Sequence, residues 1–388
     1  MLTLFTINTC KSFGCRNLGL PISASVDYSW PDYRLGYPAL HCRACGSYPP
    51  LFDEQQFNDW LSVHLTTYAS ERGLFCPVCY GTKTIYYGHN PQGTQRIQCH
   101  TCKKVWTPKQ QLHREIAQPE RIESVPLIVP FQGTSAEQKL YVLLSFDAVR
   151  GNILHLSTNF TQHHIGETLR YHWRGKIEPD LHHSDIVKRV DMRETQFLRR
   201  SQFDEIQYGS ALLKRNARGA IVRPVIAAHG HFRVLNLLFP KVKVHVISHE
   251  SFLRGAVITV WADLFRQQQG ELWFIEEEIN DSDINIPWNF QGTTQHGWWQ
   301  SQWQLWVQEK NRKMVCSLTG GDRNKAKTLS LAASRHYIHW LYKQTAFTHS
   351  TQLSAGRVTQ ILLSLAQDYN CMLAAASGDL YPTKFPLP

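Results

Sequence analysis

The spacing of apolar residues predicts strands that alternate with helices over much of the chain. An apolar run at 139–147, a turn at 150–152 and an alternating run after it predict a β-hairpin. Apolar, β-branched runs at 242–251 and 271–275 predict two further strands. This pattern is typical of an α/β fold, in which helices cover a mixed sheet.

Three stretches have the apolar spacing of helices. The first begins near Asp53, a predicted N-cap. Its apolar face is expected to pack two cysteine-rich modules together, and comprises Phe57, Trp60, Leu61, His64, Leu65 and Tyr68. The second helix is predicted over 298–313, with a core face of Trp298, Trp299, Trp303, Leu305 and Trp306. The third, over 353–376, is predicted to be one long helix or a helix pair packed on the core.

The cysteines are concentrated near the N-terminus, where eight of the ten lie within the first 102 residues. Four of them have the C-x2-C…C-x2-C spacing of a tetrahedral zinc site, namely Cys76, Cys79, Cys99 and Cys102. A looser group predicts a second zinc site and contains Cys10, Cys15, Cys42 and Cys45. His41, His64 or His100 are alternative ligands. Four thiolates leave no position for water or substrate, so both sites are predicted to be structural rather than catalytic or redox-active.

Composition and charge narrow the function classes. The 388 residues are 43% hydrophobic and 12% aromatic, which excludes wholesale disorder. The formal net charge of +10 favours an anionic partner, either nucleic acid or a membrane surface. No apolar run is long enough for a membrane span, and the N-terminus lacks the pattern of a signal peptide. We therefore expect a cytoplasmic protein with reduced thiols and no membrane partner.

The second cysteine group lies in a longer motif that resembles the zinc-binding domain of IS1-type insertion-sequence transposases. The matching positions are Cys76, Pro77, Cys79, Gly88, Gly93, Gln95, Arg96, Cys99, Cys102, Lys103, Lys104, Trp106 and Thr107. The resemblance implies DNA binding and DNA recombination. The basic residues expected to contact phosphates are Lys83, Arg96, Lys103, Lys104 and Lys109. Tyr86, Tyr87 and Trp106 are expected to pack the hairpin rather than stack on bases.

The hairpin at 139–158 resembles the opening of the RNase H-like core of such transposases. The resemblance implies that Asp147 is the first of three carboxylates that hold two Mg²⁺ ions. The family expects an aspartate near His249, where Glu250 is the nearest carboxylate. Glu309 is the candidate third ligand, with the acidic group at 276–283 as an alternative. The competing interpretations are a turn cap for Asp147, a solvated partner of Lys313 for Glu309, and a solvated acidic surface at 276–278.

These elements predict six segments. They are a first zinc ribbon (1–50), a linking helix (51–73), a second zinc ribbon (74–112), a linker (113–134), an RNase H-like domain (135–345) and a C-terminal helical segment (346–388). Basic stretches at 170–223 and 310–343 are expected to extend a DNA track, and His229 and His231 are expected to be core histidines.

The sequence therefore predicts a zinc-containing DNA-binding protein related to transposases, with Mg²⁺-dependent strand cleavage and transfer, DNA as partner and self-association into a homo-oligomer. The alternatives are a domesticated, catalytically inactive DNA-binding regulator and a zinc-stabilised interaction scaffold. The missing aspartate at the second strand favours the regulator.

Overall fold

Strands and helices alternate in the computed structural model, which describes residues 5–24, 27–34, 37–49, 51–72, 75–108, 118–132, 139–162, 185–200, 219–280, 286–297, 301–320 and 322–377. The strands are β1 (Tyr28–Arg34), β2 (Tyr37–Cys42), β3 (Thr84–His89), β4 (Gln95–Cys99), β5 (Val105–Trp106), β6 (Arg121–Pro130), β7 (Lys139–Asp147), β8 (Ile153–Thr158), β9 (Phe160–Thr161), β10 (Ala220–Ile221), β11 (Val244–Ser248), β12 (Glu271–Glu278), β13 (Asn289–His296), β14 (Ser301–Gln308) and β15 (Asn311–Ser317). The helices are α1 (Glu54–Arg72), α2 (Ile186–Arg200), α3 (Pro224–Leu238), α4 (Ser251–Val260), α5 (Ala262–Arg266), α6 (Ala332–Tyr342), α7 (Thr345–Thr348) and α8 (Ala355–Ser377).

Eight strands form one mixed sheet in the order β13-β14-β15-β12-β11-β6-β7-β8. β6, β7 and β8 form an antiparallel meander. β11 and β12 run parallel to β6, and the chain reaches them through α3 and through α4 and α5. β15, β14 and β13 extend the sheet as antiparallel strands. The predicted α/β class with a mixed sheet is confirmed.

The segment predicted as a linker, 113–134, instead contains β6, which lies in the middle of the sheet between β11 and β7. Its prolines suggested a break in structure. β11 pairs only with residues 121–124 of β6, so Pro126 lies beyond that ladder. Proline has no backbone N–H to donate, and none is needed by β11 at Pro126, just as none is needed on the open side of an edge strand.

The stretch predicted as a helix, 298–313, is also different. Its described part forms the hairpin of β14 and β15. Trp303 and Trp306 are both buried, as expected, but they belong to clusters on opposite faces of the sheet. Their three-residue spacing fits one helical face, yet the alternation of SQWQLWVQ fits a strand equally well. Trp298 and Trp299 lie outside the described residues.

Helices cover both faces of the sheet. On one face α3, α4 and α5 pack against apolar side chains of β7, β11 and β12. On the other face α6 and α8 pack against β6, β7 and β8. The predicted C-terminal helix is therefore one long helix, α8. It buries Leu362, Leu365, Ala366 and Tyr369 against the core.

Histidines are an unusual part of this core. His229, His231, His245 and His249 are all buried in the described structure. The His231 ring lies between two hydroxyls, with 2.9 Å from Nε2 to Ser145 Oγ and 2.7 Å from Nδ1 to Ser157 Oγ. Burial lowers the pKa of His229 and His245 to about 3, so both rings are neutral at pH 7. The structure thus supports the core interpretation of His229 and His231.

Helix α1 packs against α3, and its predicted apolar face is buried except for His64, which is half-buried. A Cβ atom at Gly230 of α3 would lie 2.7 Å from the Trp60 ring, so this close approach requires glycine. Ile7 and Phe75, which lie beside the two cysteine modules, join the same cluster. α1 therefore attaches the N-terminal region to the core, in addition to the role predicted for it.

Glu123 links the centre of the sheet to α6 and generates a prediction about pH. Its buried carboxylate accepts hydrogen bonds from the backbone N–H groups of Ser334 (2.7 Å) and Ala333 (3.3 Å). Burial raises the pKa of Glu123 to about 7. The folded state therefore holds a proton that the unfolded state releases between about pH 4.5 and 7, and this contribution to stability falls as the pH rises.

The quantity to compare is the free energy of unfolding of wild type minus that of Glu123→Gln. We expect this difference to fall by roughly 2–3 kcal/mol when the pH rises from 4.5 to 7. Urea unfolding of both proteins across this pH range measures the difference. Parallel pH profiles for the two proteins would contradict the assignment.

Candidate metal centres and basic hairpin

The first cysteine group is assembled from two separate segments of the chain. Cys10 and Cys15 lie in the loops before β1, Cys42 ends β2, and Cys45 lies in the following turn. The Sγ–Sγ distances are 3.6 Å for Cys10 and Cys45 and 3.8 Å for Cys15 and Cys42. Gly46, with a φ of +70°, closes the turn by donating its N–H to the Cys42 carbonyl.

The second cysteine group lies at the base of the β3–β4–β5 sheet. Its Sγ–Sγ distances are 3.4 Å for Cys76 and Cys102 and 3.5 Å for Cys79 and Cys99. Each C-x-x-C turn ends in a left-handed residue, Tyr80 in one and Lys103 in the other. The predicted hairpin between the two turns is present as β3 and β4.

Both groups have the geometry of a structural metal site. Within each group the four Sγ atoms lie within 4.8 Å of one another. A tetrahedron with metal–sulfur bonds of about 2.3 Å has edges of about 3.8 Å. Burial raises the pKa of the Cys10 thiol to about 11 and that of Cys76 to about 12. A bound divalent cation would offset this cost of thiolate formation. Each group could therefore hold one structural metal ion through four sulfurs.

Backbone and amide donors around the sulfurs fit thiolates. The Asn17 side-chain amide donates to Cys42 Sγ at 3.4 Å, and the Val78 N–H donates to Cys76 Sγ at 3.3 Å. Such donors orient metal ligands and stabilise their negative charge.

The two modules differ in how they join the core. The first is embedded in it, since Leu18 belongs to the main core cluster. Arg254 of α4 donates to the Lys11 carbonyl at 3.2 Å, and Arg266 of α5 donates to the Leu18 carbonyl at 3.1 Å. The second module contacts α1, where the Tyr80 hydroxyl lies 3.2 Å from Thr66 Oγ1. We infer that the first metal supports the core and the second mainly its own hairpin.

The hairpin of the second module presents a basic surface. Lys83, Lys103 and Lys104 are exposed, and Arg96 is half-buried. Lys109, the fifth predicted DNA contact, lies outside the described residues. The sequence between Glu71 and Glu115 contains no Asp or Glu. Positive charge on this surface is therefore not neutralised by carboxylates of the same module.

The aromatic side chains of this hairpin differ from the expectation. Tyr86 is 55% exposed and Tyr87 is 47% exposed, so neither is buried in packing the hairpin. The guanidinium carbon of Arg96 lies 5.7 Å from the Tyr87 ring centre, in a cation–π contact. Trp106 is half-buried. Sequence reasoning missed the exposed tyrosines because aromatic residues in a short strand are more often buried than exposed.

The described structure does not bring the three predicted catalytic carboxylates together. Asp147 ends β7 opposite Ile122, which in turn pairs with His245 near the start of β11. Glu250 follows the other end of β11, five residues further on, a separation of about 16 Å along the strand. Glu309 lies in the β14–β15 turn with a φ of +51°, not on the predicted helix. Among the described residues, the groups of three or more potential ligands are the two cysteine groups.

Asp147 and Glu250 occupy structural positions instead. Asp147 Oδ1 accepts the N–H groups of Val149 (2.9 Å) and Arg150 (3.1 Å), and its other oxygen pairs with the Arg150 guanidinium at 2.9 Å. The turn-cap interpretation of Asp147 is therefore supported. Glu250 is the N-cap residue of α4, although its side chain makes no capping hydrogen bond there.

The 276–278 run is not a solvated acidic surface, because it belongs to β12 and two of its side chains are largely buried. Glu276 pairs with Arg189 (3.1 Å) and Arg193 (2.9 Å), both on α2. Glu277 pairs with Arg335 of α6. The i,i+4 spacing of the two α2 arginines is only a weak signal for this in the sequence. Asp281 and Asp283 lie outside the described residues.

The position where the family expects an aspartate is filled by a buried pair. His249 Nε2 lies 3.2 Å from Glu194 of α2, and Trp303 donates its indole N–H to the same carboxylate at 3.1 Å. Burial lowers the pKa of His249, while Glu194 acts in the opposite direction. This arrangement packs α2 onto the ends of β11 and β12.

The 310–343 stretch does not form a continuous basic track in the part that the structure describes. Lys313 is fully buried, and its Nζ donates to the carbonyls of Lys327 (2.7 Å) and Leu329 (2.6 Å). Lys325 pairs with Glu271 at 2.5 Å, and Arg335 pairs with Glu277. Most of the 170–223 stretch lies outside the described residues.

The different attachment of the two modules leads to a prediction about metal loss. Wild-type protein is expected to contain two metal ions per chain, and Cys10→Ser and Cys102→Ser are each expected to lose one. Cys10→Ser should lower the free energy of unfolding of the core by several kcal/mol. Cys102→Ser should change it by less than about 1 kcal/mol, because its module contacts mainly α1.

Elemental analysis and urea unfolding followed by tryptophan fluorescence measure both effects. Cys371→Ser, which changes a half-buried cysteine outside the two groups, is the matched control and should retain both metals. Equal destabilisation by Cys10→Ser and Cys102→Ser would contradict the difference in attachment.

Comparison with known proteins adds no assignment to this geometry. No protein-family model matches the chain, and searches of curated proteins and of solved structures find no match. None of the helices in the described ranges is both long and apolar enough to cross a membrane.

Proposed function

We propose that this chain is a zinc-containing DNA-binding protein and that the hairpin of its second cysteine module contacts the DNA. The observation that carries the proposal is the exposed basic surface without carboxylates. Lys83, Arg96, Lys103 and Lys104 contribute four positive charges. A zinc ion with four thiolates carries about −2, so the module remains positive. A compact positive surface of this kind binds phosphates with release of counterions.

Zinc is the proposed metal at both sites because the ligands are four thiolates in tetrahedral geometry. Soft sulfur ligands favour zinc over Mg²⁺ or Ca²⁺, which prefer oxygen. The absence of an open coordination position favours a structural role.

The sheet supports a relationship to RNase H-like transposase cores. Five of its eight strands, β8-β7-β6-β11-β12, form an antiparallel meander followed by two parallel strands, each reached through helices. This is the arrangement expected of an RNase H-like domain. On this proposal the domain begins at β6, not at the β7–β8 hairpin that sequence reasoning took as its opening. This strand order, together with the IS1-type motif around the second cysteine module, favours descent from an insertion-sequence transposase.

The non-catalytic alternative is the better supported form of this proposal. Strand transfer with two Mg²⁺ ions needs carboxylates that converge on one point. In the described structure Asp147 caps a turn, Glu123 binds the start of α6, and His249 occupies the position where the family has an acid. We therefore propose a DNA-binding regulator derived from a transposase.

Charge reversal on the hairpin tests the DNA interface. Lys83→Glu/Lys104→Glu should weaken binding to duplex or single-stranded DNA by at least 10-fold at low salt, since two phosphate contacts are lost. It should also reduce the slope of log Kd against log salt by about 2. Fluorescence anisotropy with labelled DNA measures both.

Lys310→Glu/Lys343→Glu is the matched control, because it makes the same charge change at two exposed lysines outside the hairpin. Equal losses in both variants would indicate a non-specific charge effect. No DNA binding by wild type at low salt would refute the proposed function.

The non-catalytic assignment has a separate test. Wild-type protein incubated with DNA and Mg²⁺ or Mn²⁺ should release no nicked product on a denaturing gel. Asp147→Asn keeps an acceptor for the turn N–H groups but loses the Arg150 ion pair, so it should fold. Nicking by wild type that disappears in folded Asp147→Asn would establish catalysis instead.

A further inference from the structure

We propose that the β3–β4 hairpin binds single-stranded DNA, with bases stacked on Tyr86 and Tyr87 and the phosphates held by the surrounding lysines. This inference rests on the proposed DNA-binding function and names the form of DNA that the surface recognises.

Three successive large side chains of β3 are exposed to solvent. Ile85, Tyr86 and Tyr87 lie on a strand whose one neighbour in its three-stranded sheet is β4. Fully burying a side chain of this size contributes about 1.5–3 kcal/mol, of which the described fold gains only part here. Together the three side chains form an exposed patch around the edge of the sheet, which is typical of an interaction surface.

The chemistry around this patch specifies an anionic partner. Lys83 directly precedes β3, Lys103 and Lys104 lie in the turn before β5, and Arg96 lies on β4. With no Asp or Glu between residues 71 and 115, an acidic polymer meets no carboxylate of this segment. An apolar partner protein would gain nothing from these charges, whereas a nucleic acid uses both the rings and the charges.

The Tyr87 ring is already held as one side of a stacking site. The Arg96 guanidinium lies 5.7 Å from its ring centre. Both tyrosine rings are exposed, β3 is an edge strand, and its pairing with β4 is irregular between Tyr86 and His89. A strand of DNA that crosses this edge can therefore place one base on Tyr87 and another on Tyr86.

Stacking distinguishes single-stranded from duplex DNA. In a duplex the faces of the bases are covered by neighbouring bases, so the tyrosine rings reach them only where the strands are open. In a single strand each base can stack on an aromatic ring, and this is worth about 1–3 kcal/mol per base. Exposed rings thus add to the affinity for single strands and little to that for duplex.

The test uses the 388-residue chain with metal bound and measures the fluorescence anisotropy of a labelled DNA strand of about 15 nucleotides, near the upper end of the site sizes of single-strand-binding domains. The same strand annealed to its complement and an RNA strand of the same sequence are measured alongside. We expect the single DNA strand to bind most tightly. Tyr86→Ala/Tyr87→Ala should lose at least 10-fold of that affinity, with an unchanged salt slope and a duplex affinity within about threefold of wild type.

Two controls separate stacking from other effects. Tyr86→Phe/Tyr87→Phe keeps the rings and should bind like wild type. Tyr342→Ala removes a tyrosine that is also 55% exposed but lies on α6, and it should have no effect. Metal content shows whether the alanine variant keeps its fold. If it does not, the single variants Tyr86→Ala and Tyr87→Ala replace it, and each should lose at least about fivefold of the single-strand affinity. Wild-type affinity of both single variants would contradict stacking.

Several outcomes would overturn the inference. The first is tighter binding to duplex DNA or to RNA than to the single DNA strand. The second is wild-type affinity of a folded Tyr86→Ala/Tyr87→Ala protein. The third is that this variant changes only the self-association of the protein, measured by sedimentation. Salt-dependent binding to duplex without single-strand preference refutes only the inference. Failure to bind either form of DNA refutes the proposed function itself.

Discussion

Closure of the first cysteine group is the constraint on which the N-terminal half of the molecule depends. Residues 5–24 form isolated bridges, short turns and one turn of 3-10 helix, yet they supply Leu18 to the main core and contact α4 and α5. Such a segment has too little regular hydrogen bonding to hold its conformation alone, so four sulfurs around one metal would fix it. With this segment in place α1 is tied to the chain start through Glu54, and α1 in turn carries the second module.

The carboxyl ends of the parallel strands β11 and β12 are covered in the described structure. In α/β proteins ligands usually bind outside the carboxyl ends of parallel strands. Here α2 covers those ends with the ion pairs of Arg189 and Arg193 with Glu276, and with the contact between Glu194 and His249. Buried charges of this kind are costly to separate once formed. The described site is thus closed by its own side chains, and the exposed chemistry lies on the hairpin of the second module.

Sequence reasoning identified the features that depend on local spacing. The cysteine groups, the β3–β4 hairpin and α8 follow from intervals of a few residues and are present in the structure. It failed where the outcome depends on distant partners. Pro126 suggested a linker because the short ladder with β11 is not visible in the chain, and Trp303 with Trp306 fitted a helix as well as a strand. The charge pairs between α2 and β12 join residues 87 and 83 positions apart, so spacing along the chain does not specify the partners.

Because the buried histidines of the core are neutral, low pH is expected to destabilise both the core and the metal modules. Below about pH 6.5 these histidines bind protons in the unfolded chain, whereas in the folded state His229 and His245 have pKa values of about 3 and stay neutral. The free energy of unfolding therefore falls as the pH falls. The same protons compete with metal for the cysteine thiolates. Glu123 acts in the opposite direction, but it is one group against several. A fall in pH would therefore weaken the metal modules and the sheet together, and the basic hairpin of the second module would lose its support.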